Sequence, residues 1–427
     1  MKQNKISKKR SLFKAIGPGL LFASSAIGTS HLVLSTRAGA HHGMIFFWII
    51  IATLFFKYPF YQIGTRYAIA TGNSLIKGYK KQGNWAVLLY LVVIFFNMFA
   101  VTGAIGAVSA GLLKTILSIG WSMPVLVGLV IAVTVGLLFW GGYSILDSFI
   151  KVLSVVLLIT VSIAFFTVLI NDAVEPIANF QAPKLMEGAG LVLLVSLIGW
   201  MPAGMEASTM NSIWVVEKMR INNYKPSLKE SLFDFNLGYI FTAILALMFM
   251  TIGAFTVFGS GQLFPNGAVP FINQLFSVFT QTLGPKSYWV ISIAAFGTIY
   301  GTLITILDAY TRSFARGLLV LKTKTSAVEE KQSTLDNYYK LVLPIIGLGG
   351  FSLFYFSAAS MVKIIEYATI LGFVTAPIIA FLNLRAIQSL SVPKAYRPSS
   401  ILVILTYIGL VAITLFTLYY LYTLYLF

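Results

Sequence analysis

The sequence contains no cysteine, only three histidines, and 13 acidic residues against 30 lysines and arginines in 427 residues. The missing cysteine excludes disulfides and thiolate metal centres and leaves the redox state of the compartment undetermined. The scarcity of charge excludes more. Only 10% of the residues are charged, where a soluble domain carries about 25%, so a surface made from this chain would lack the polarity to stay in water. No phosphate-binding glycine loop, nucleophile elbow or metal-ligand cluster at hydrolase spacing occurs, which argues against an ATP-driven pump or a membrane enzyme. A net charge of +17 would suggest a nucleic-acid partner in a soluble chain. Here the bases sit in short loops between apolar runs, as membrane topology requires, and no nucleic acid is expected.

Apolarity is what the chain has in place of charge: 58% of its residues are apolar and the mean hydropathy is +0.87. Runs near 14–37, 44–70, 84–113, 122–141, 146–171, 188–216, 233–258, 287–311, 340–359, 361–384 and 400–424 approach or exceed the roughly 20 residues that cross a bilayer. The expectation is an all-α membrane protein of eleven transmembrane helices in a bacterial-type inner membrane. Lysines and arginines set its orientation. With the N-terminus in the cytoplasm, the loops holding Lys77, Lys80, Lys81, Lys218, Arg220, Lys225, Arg312, Arg316, Arg385 and Arg397 fall inside. The opposite loops hold few bases and carry Asp172, Glu175 and Glu187, which leaves the C-terminus outside. Residues 1–13 read as a retained basic cytoplasmic tail, since no short apolar core with a cleavage site follows them. Residues 323–337 form a polar linker on the cytoplasmic side.

A weak internal repeat is visible. The first run opens with Gly17-Pro18-Gly19 and is interrupted by Gly28-Thr29-Ser30; the sixth opens with Gly188-Ala189-Gly190 and is interrupted by Pro202-Ala203-Gly204. Five spans separate them, so the second copy starts with inverted topology: helices 1–5 over 14–171, an extracytoplasmic loop over 172–187, helices 6–10 over 188–384, and an eleventh helix within 385–427. Matched interruptions in two inverted halves point to a transporter site at mid-membrane, although Gly and Pro are also common in ordinary transmembrane helices. Unwound backbone in hydrocarbon must be satisfied by something, and a dehydrated cation accepts carbonyls. Attention therefore falls on Ser24, Ser25, Gly28, Thr29, Ser30, His31 and Ser35 at the first break. At the second it falls on Trp200, Met201, Pro202, Ala203, Gly204, Glu206 and Ser208.

The segment GPGLLFASSAIGTSHLVLSTRAGAHHG (Gly17 to Gly43) resembles the first helix of the NRAMP family of divalent-metal transporters, in which a GPG opening leads to Asp-Pro-Gly-Asn and a closing Ala-Gly-Ala. The second run, ending in YAIATGNSL (Tyr67 to Leu75), and Trp200-Met201-Pro202 in the sixth are similar to the family as well. The resemblance implies a leucine-transporter-type fold of two inverted five-helix repeats with helices 1 and 6 broken. Its departures are at the chemistry. Gly28 stands where the family has its metal-binding Asp, His31 where it has its Asn, and Ala203 where it has its proton-path His; Met201 keeps the soft ligand. No Asp or Glu occurs from Lys81 through Leu146, a stretch that includes the third helix with the family's proton-relay acids.

Several residues have two readings. His31 is a metal-type imidazole or a histidine bonded within the bundle. Met201 is a soft ligand or packing. An acid within a span is functional by default, which places Glu206 at the site or just behind it. Against that, Gly204, Ser208, Asn211 and Ser212 recur at helical spacing and Glu206 lies about 200° from Gly204. Asp308 serves an inner gate or pairs with Arg312 one turn on. Arg37, Lys57 and Lys363 are expected at interfaces, snorkelling or paired with an acid such as Glu366.

The primary expectation is a secondary transporter or facilitator of divalent metal ions of the Mn²⁺/Mg²⁺/Fe²⁺ class, with little or no proton coupling and no cofactor. Carbonyls near Gly28 and Ile198 would hold the cargo with His31, Met201 and Glu206 or Ser30, while Thr29, Ser208 and Asp308 stand behind or gate them. The alternative keeps the fold and carries a small organic solute such as an amino acid, with sodium or no coupling.

Overall fold

The computed structural model describes residues 17–141, 143–171, 173–262, 264–323, 332–357 and 360–426. The basic tail and most of the polar linker lie outside the described residues. Each of the eleven apolar runs is helical. The first is split into α1 (Pro18–Ala26) and α2 (Thr36–His42), joined by a π-helical stretch over Ser30–Ser35. Then follow α3 (Ile45–Thr71), α4 (Leu75–Gln82), α5 (Asn84–Leu117), α6 (Met123–Phe139) and α7 (Tyr143–Ile170). The sixth run is split into α8 (Gly188–Trp200) and α9 (Ala207–Asn222). It is followed by α10 (Leu228–Thr256), α11 (Ala268–Leu283), α12 (Ser287–Lys322), α13 (Gln332–Ser357), α14 (Met361–Gln388) and α15 (Ser400–Leu426). Among the described residues seven helices are individually long and apolar enough to cross a bilayer, and the bent first pair, taken as one span, makes an eighth. The amphipathic α4 and α11 fall outside the eleven expected runs.

Helix ends follow from local chemistry. Pro18 begins α1, where its missing N–H costs nothing. Ser227 and Glu230 close a capping box on α10: the Ser227 hydroxyl accepts from the Glu230 amide at 3.3 Å, and the Glu230 carboxylate accepts from the Ser227 amide at 2.8 Å. At the two breaks no continuous ladder is available. Ile27 leaves α1 in an extended conformation, and the chain re-enters a helix near Ser30 at 47° to α1. Met201 is likewise extended, its peptide bond to Pro202 is cis, and helix resumes at Ala207.

The broken first span lies against α10 through small residues, the usual means of close helix approach in lipid. A Cβ on Gly19 would stand 2.0 Å from the carbonyl oxygen of Asp234, and one on Gly253 would stand 2.1 Å from that of Thr36. Side chains of Phe22, Tyr61, Phe235 and Tyr239 fill the space beside this seam as a mutually packed aromatic group. Outward faces carry exposed Trp48, Phe55, Phe96, Phe166 and Ile404. That distribution suits lipid, not water.

Candidate functional site

The two breaks face one another across a cavity of about 40 Å³, room for an ion with a water or two. Ser25, Gly28, Thr29 and Ser30 form one wall; Trp200, Ala203, Gly204, Glu206 and Ala207 form the facing one. Val101 and Ile105 of α5 and Thr302, Ile306 and Tyr310 of α12 close the sides.

Glu206 is 3% exposed and sits at the N-terminal end of α9. The Tyr310 hydroxyl donates to its Oε1 at 2.6 Å, while its Oε2 is buried without a hydrogen-bond partner. Gly204 makes this position possible, because a Cβ there would lie 2.5 Å from the carboxylate. The Thr29 hydroxyl is likewise buried without a partner. Two oxygens at one cavity that nothing in the protein satisfies are an arrangement for binding a cation or an N–H donor, since each otherwise forfeits a hydrogen bond in a dry setting.

The periodicity argument that turned Glu206 away assumed helix from Gly204 onward. Helix begins only at Ala207, so the phase does not carry across the break, and Gly204 and Glu206 share the cavity wall. The stripe it favoured is spent within the bundle. Asn383 donates to Ser208 at 2.7 Å, Asn211 donates to Thr65 at 2.8 Å, and Ser212 accepts from the Leu75 amide at 2.9 Å. Ser208 does not line the cavity and is a helix-packing residue.

Neither His31 nor Met201 is part of the cavity wall. The His31 ring points toward α10, where its Nε2 meets the Thr242 carbonyl oxygen at 3.0 Å and its Nδ1 meets the Ser30 hydroxyl at 2.8 Å. A carbonyl only accepts, so Nε2 carries the proton, while Nδ1 competes for the single Ser30 hydroxyl proton with the Ala26 carbonyl, 3.0 Å from that hydroxyl. Both nitrogens are therefore engaged, as in the structural reading of this histidine. Met201 is fully buried in the core. Of the expected side-chain ligands His31, Met201 and Glu206, the cavity wall includes Glu206 alone. Among the described residues no group of three or more His, Asp or Glu is placed to hold a metal.

The carbonyls at the breaks are also largely answered from within. The Gly28 carbonyl accepts from the amides of His31 at 3.1 Å and Leu32 at 3.0 Å. The Thr302 hydroxyl stands 2.8 Å from the Ile27 carbonyl and 3.0 Å from those of Ser24 and Thr298, so its one proton serves one of the three at a time. At the second break the ammonium of Lys57, on α3, reaches the carbonyls of Ile198 at 2.9 Å, Gly199 at 3.1 Å and Ala203 at 3.2 Å. Tyr61 also donates to Ala203. Lys57 is therefore neither interfacial nor snorkelling, but 3% exposed beside the site. Sequence reasoning gave it no role at the site, though its place midway along the 44–70 run was a signal of depth.

Ion pairs brace the ends of the bundle. Arg37 pairs with Glu366 at 2.6 Å, joining α2 to α14. Asp308 pairs with Arg312 at 2.7 Å and accepts from the Tyr339 hydroxyl at 2.7 Å, joining α12 to α13 and leaving it outside the cavity wall. Glu217 on α9 receives Arg316 of α12 at 3.0 Å, and Asp234 accepts from the Gly19 amide at 2.6 Å at the start of α1.

A family model described as natural resistance-associated macrophage protein-like matches residues 19–423. The uncharacterized protein PM0681 of Pasteurella multocida (strain Pm70) is 33% identical over 407 residues, covering 95% of this chain and 91% of that protein. Among solved structures, a mutant of the manganese transporter of Eremococcus coleocola superposes with a TM-score of 0.66 at 12% identity, over 96% of this chain and 86% of that one. MhsT in complex with L-phenylalanine superposes with a TM-score of 0.60 at 15% identity, over 94% of this chain and 98% of that one. At such identities the likeness is one of fold, and it is the leucine-transporter-type fold that the first and sixth runs led us to expect. A family match over nearly the whole length, on a chain of long apolar helices, makes this a multi-pass membrane protein and a transporter, not an enzyme: the chain belongs to the natural resistance-associated macrophage protein-like family.

Proposed function

We propose that the chain is a secondary transporter or facilitator of divalent metal ions, carrying a hard ion of the Mg²⁺ or Mn²⁺ kind by alternating access around the α1/α2 and α8/α9 breaks. The observation that carries this reading is a carboxylate oxygen of Glu206 and the Thr29 hydroxyl, both buried without a hydrogen-bond partner, on residues that line one cavity of ion size. With Met201 and His31 outside the cavity wall, the donors are oxygens, and oxygens suit Mg²⁺ and Mn²⁺ better than softer ions. One carboxylate and a few hydroxyls leave part of the coordination to water, as Mg²⁺ prefers. The manganese transporter of Eremococcus coleocola shares the fold. We propose weak or absent proton coupling, because α5 meets the cavity with Val101 and Ile105 and holds no acid over Asn84–Leu117. The N-terminus is proposed to lie in the cytoplasm and the C-terminus outside, in a bacterial-type inner membrane, with the two five-helix halves as inverted repeats.

A second reading rests on the charge balance. The Lys57 ammonium holds the Ala203 carbonyl at 3.2 Å on the same break as Glu206, which sets one positive charge beside the one carboxylate and favours a small organic solute that presents an N–H donor to Glu206. MhsT, bound to L-phenylalanine, has the same fold. Proteoliposomes holding a metal-quenched dye separate the two. Quenching driven by Mn²⁺ or Mg²⁺, with little change on imposing a pH gradient, supports the metal reading. Silence with Mn²⁺, Mg²⁺, Fe²⁺ and Co²⁺ alike, together with thermal stabilisation by amino acids, would replace it with the second.

A further inference from the structure

Lys57 is the group whose position neither cargo explains. A lysine at mid-membrane is costly to insert, so its burial calls for a compensating role. Here the compensation is specific. The last carbonyls of α8 have no amide partners within the helix and form the negative end of its dipole. Ile198 and Gly199 supply two of them, and Ala203 supplies a third from within the break. An ammonium has three N–H donors, and these three carbonyls lie 2.9–3.2 Å from it. A ring of carbonyls at a helix C-terminus beside an unwound segment is the arrangement by which transporters hold a dissociable cation.

We propose that Lys57 is a tethered cation: its ammonium permanently occupies a carbonyl seat on the second break that would otherwise bind a free monovalent ion, so the break stays folded without one. The seat adjoins the cavity through Ala203, which also lines the cavity wall, but Lys57 reaches it from α3 along a second, mostly apolar crevice of about 420 Å³ lined by Phe56, Phe60, Ile198, Phe373 and Phe416. The inference does not depend on the cargo. It makes Lys57 a positioning residue, acting through the backbone of residues 198–203, and it predicts that removing the side chain converts the fold into one that needs an ion from solution.

Chemical rescue tests this in detergent, without any cargo. Lys57→Ala should lower the unfolding temperature in choline chloride by about 5 °C or more, as expected for carbonyls stripped of a buried charge. Ammonium, methylammonium or K⁺, ammonium being close to K⁺ in size, should restore most of that loss saturably, while wild-type protein responds to none of them. Lys57→Gln, which keeps two N–H donors and no charge, guards against a variant that does not fold and should show the same ion preference with a smaller loss. Variants as stable as wild type in choline, restoration by choline itself, or failure of every cation to restore either variant would overturn the proposal. A negative metal-flux result would leave these readouts unaffected, so the two ideas fail separately.

Discussion

Glu206 carries the chemistry of the account at the scale of a single residue. Its Oε1 is fixed by Tyr310 and its Oε2 is buried without a hydrogen-bond partner, so the carboxylate and the tyrosine should weigh differently. Glu206→Gln removes the charge and the donor oxygen together and should lower cargo affinity by at least about 100-fold. Tyr310→Phe only loosens the carboxylate and should cost about 10-fold, in line with the effect of losing an outer partner of a metal ligand. Equilibrium binding of Mn²⁺ to the purified variants measures both; equal losses would contradict the assigned roles. His31 gives the opposite prediction. Its ring is spent on Ser30 and Thr242, so His31→Ala should leave metal affinity within about twofold while destabilising the fold by about 1–3 kcal/mol through the lost packing and hydrogen bonds of a buried imidazole. A selective loss of Mn²⁺ binding without a fall in unfolding temperature would restore it as a ligand.

These residues also show what the sequence could and could not convey. The breaks were legible because Gly, Pro and small polar residues interrupt apolar runs at matched positions. The side-chain directions were not, because each break resets the helical phase. A π-helical stretch over Ser30–Ser35 turns His31 toward α10, and the restart at Ala207 brings Glu206 into line with Gly204. Asp308 with Arg312, and Arg37 with Glu366, were readable: the first is an i,i+4 pair, and the second joins two charges with few other partners at hand.

Among the elements, α1 is the one that must move if the cavity is to open past its N-terminal end. It is held there by close backbone approach: Gly19 rests on the Asp234 carbonyl, the Asp234 carboxylate accepts from the Gly17 and Gly19 amides, and a Cβ on Gly238 would meet Gly19 at 2.1 Å. A methyl at Gly19 cannot fit against backbone at 2.0 Å without separating α1 from α10. Gly19→Ala should therefore shift the population toward a state open at this end. The absence of native cysteine makes the chain a clean background for labelling. Ser25→Cys, on the cavity wall, should react several-fold faster with a small thiol reagent in the Gly19→Ala background. An unchanged rate would mean that α1 does not form this gate. The amphipathic α4 and α11 were not legible as elements: at 8 and 16 residues they are too short for a span and carry the polar faces that the search for apolar runs passes over.

For the whole molecule, apolar length made the helical architecture readable before any geometry, because hydrocarbon permits few alternatives to a bundle of long helices. The proposed orientation places Lys77 to Lys81 and Lys218 to Lys229 on the cytoplasmic side and Lys286 on the other. Single cysteines in place of Lys80 and Lys286, probed in intact cells with an impermeant reagent, should label only at the second position; labelling at the first would invert the topology. The claim on which all of this depends is that cargo sits between the two breaks. Anomalous diffraction from crystals soaked in Mn²⁺ tests it most directly. The account predicts one strong peak within about 2.0–2.6 Å of a Glu206 carboxylate oxygen and near the Thr29 hydroxyl, lost in Glu206→Gln. A peak at His31 or Met201, or none in a protein that demonstrably carries Mn²⁺, would contradict it.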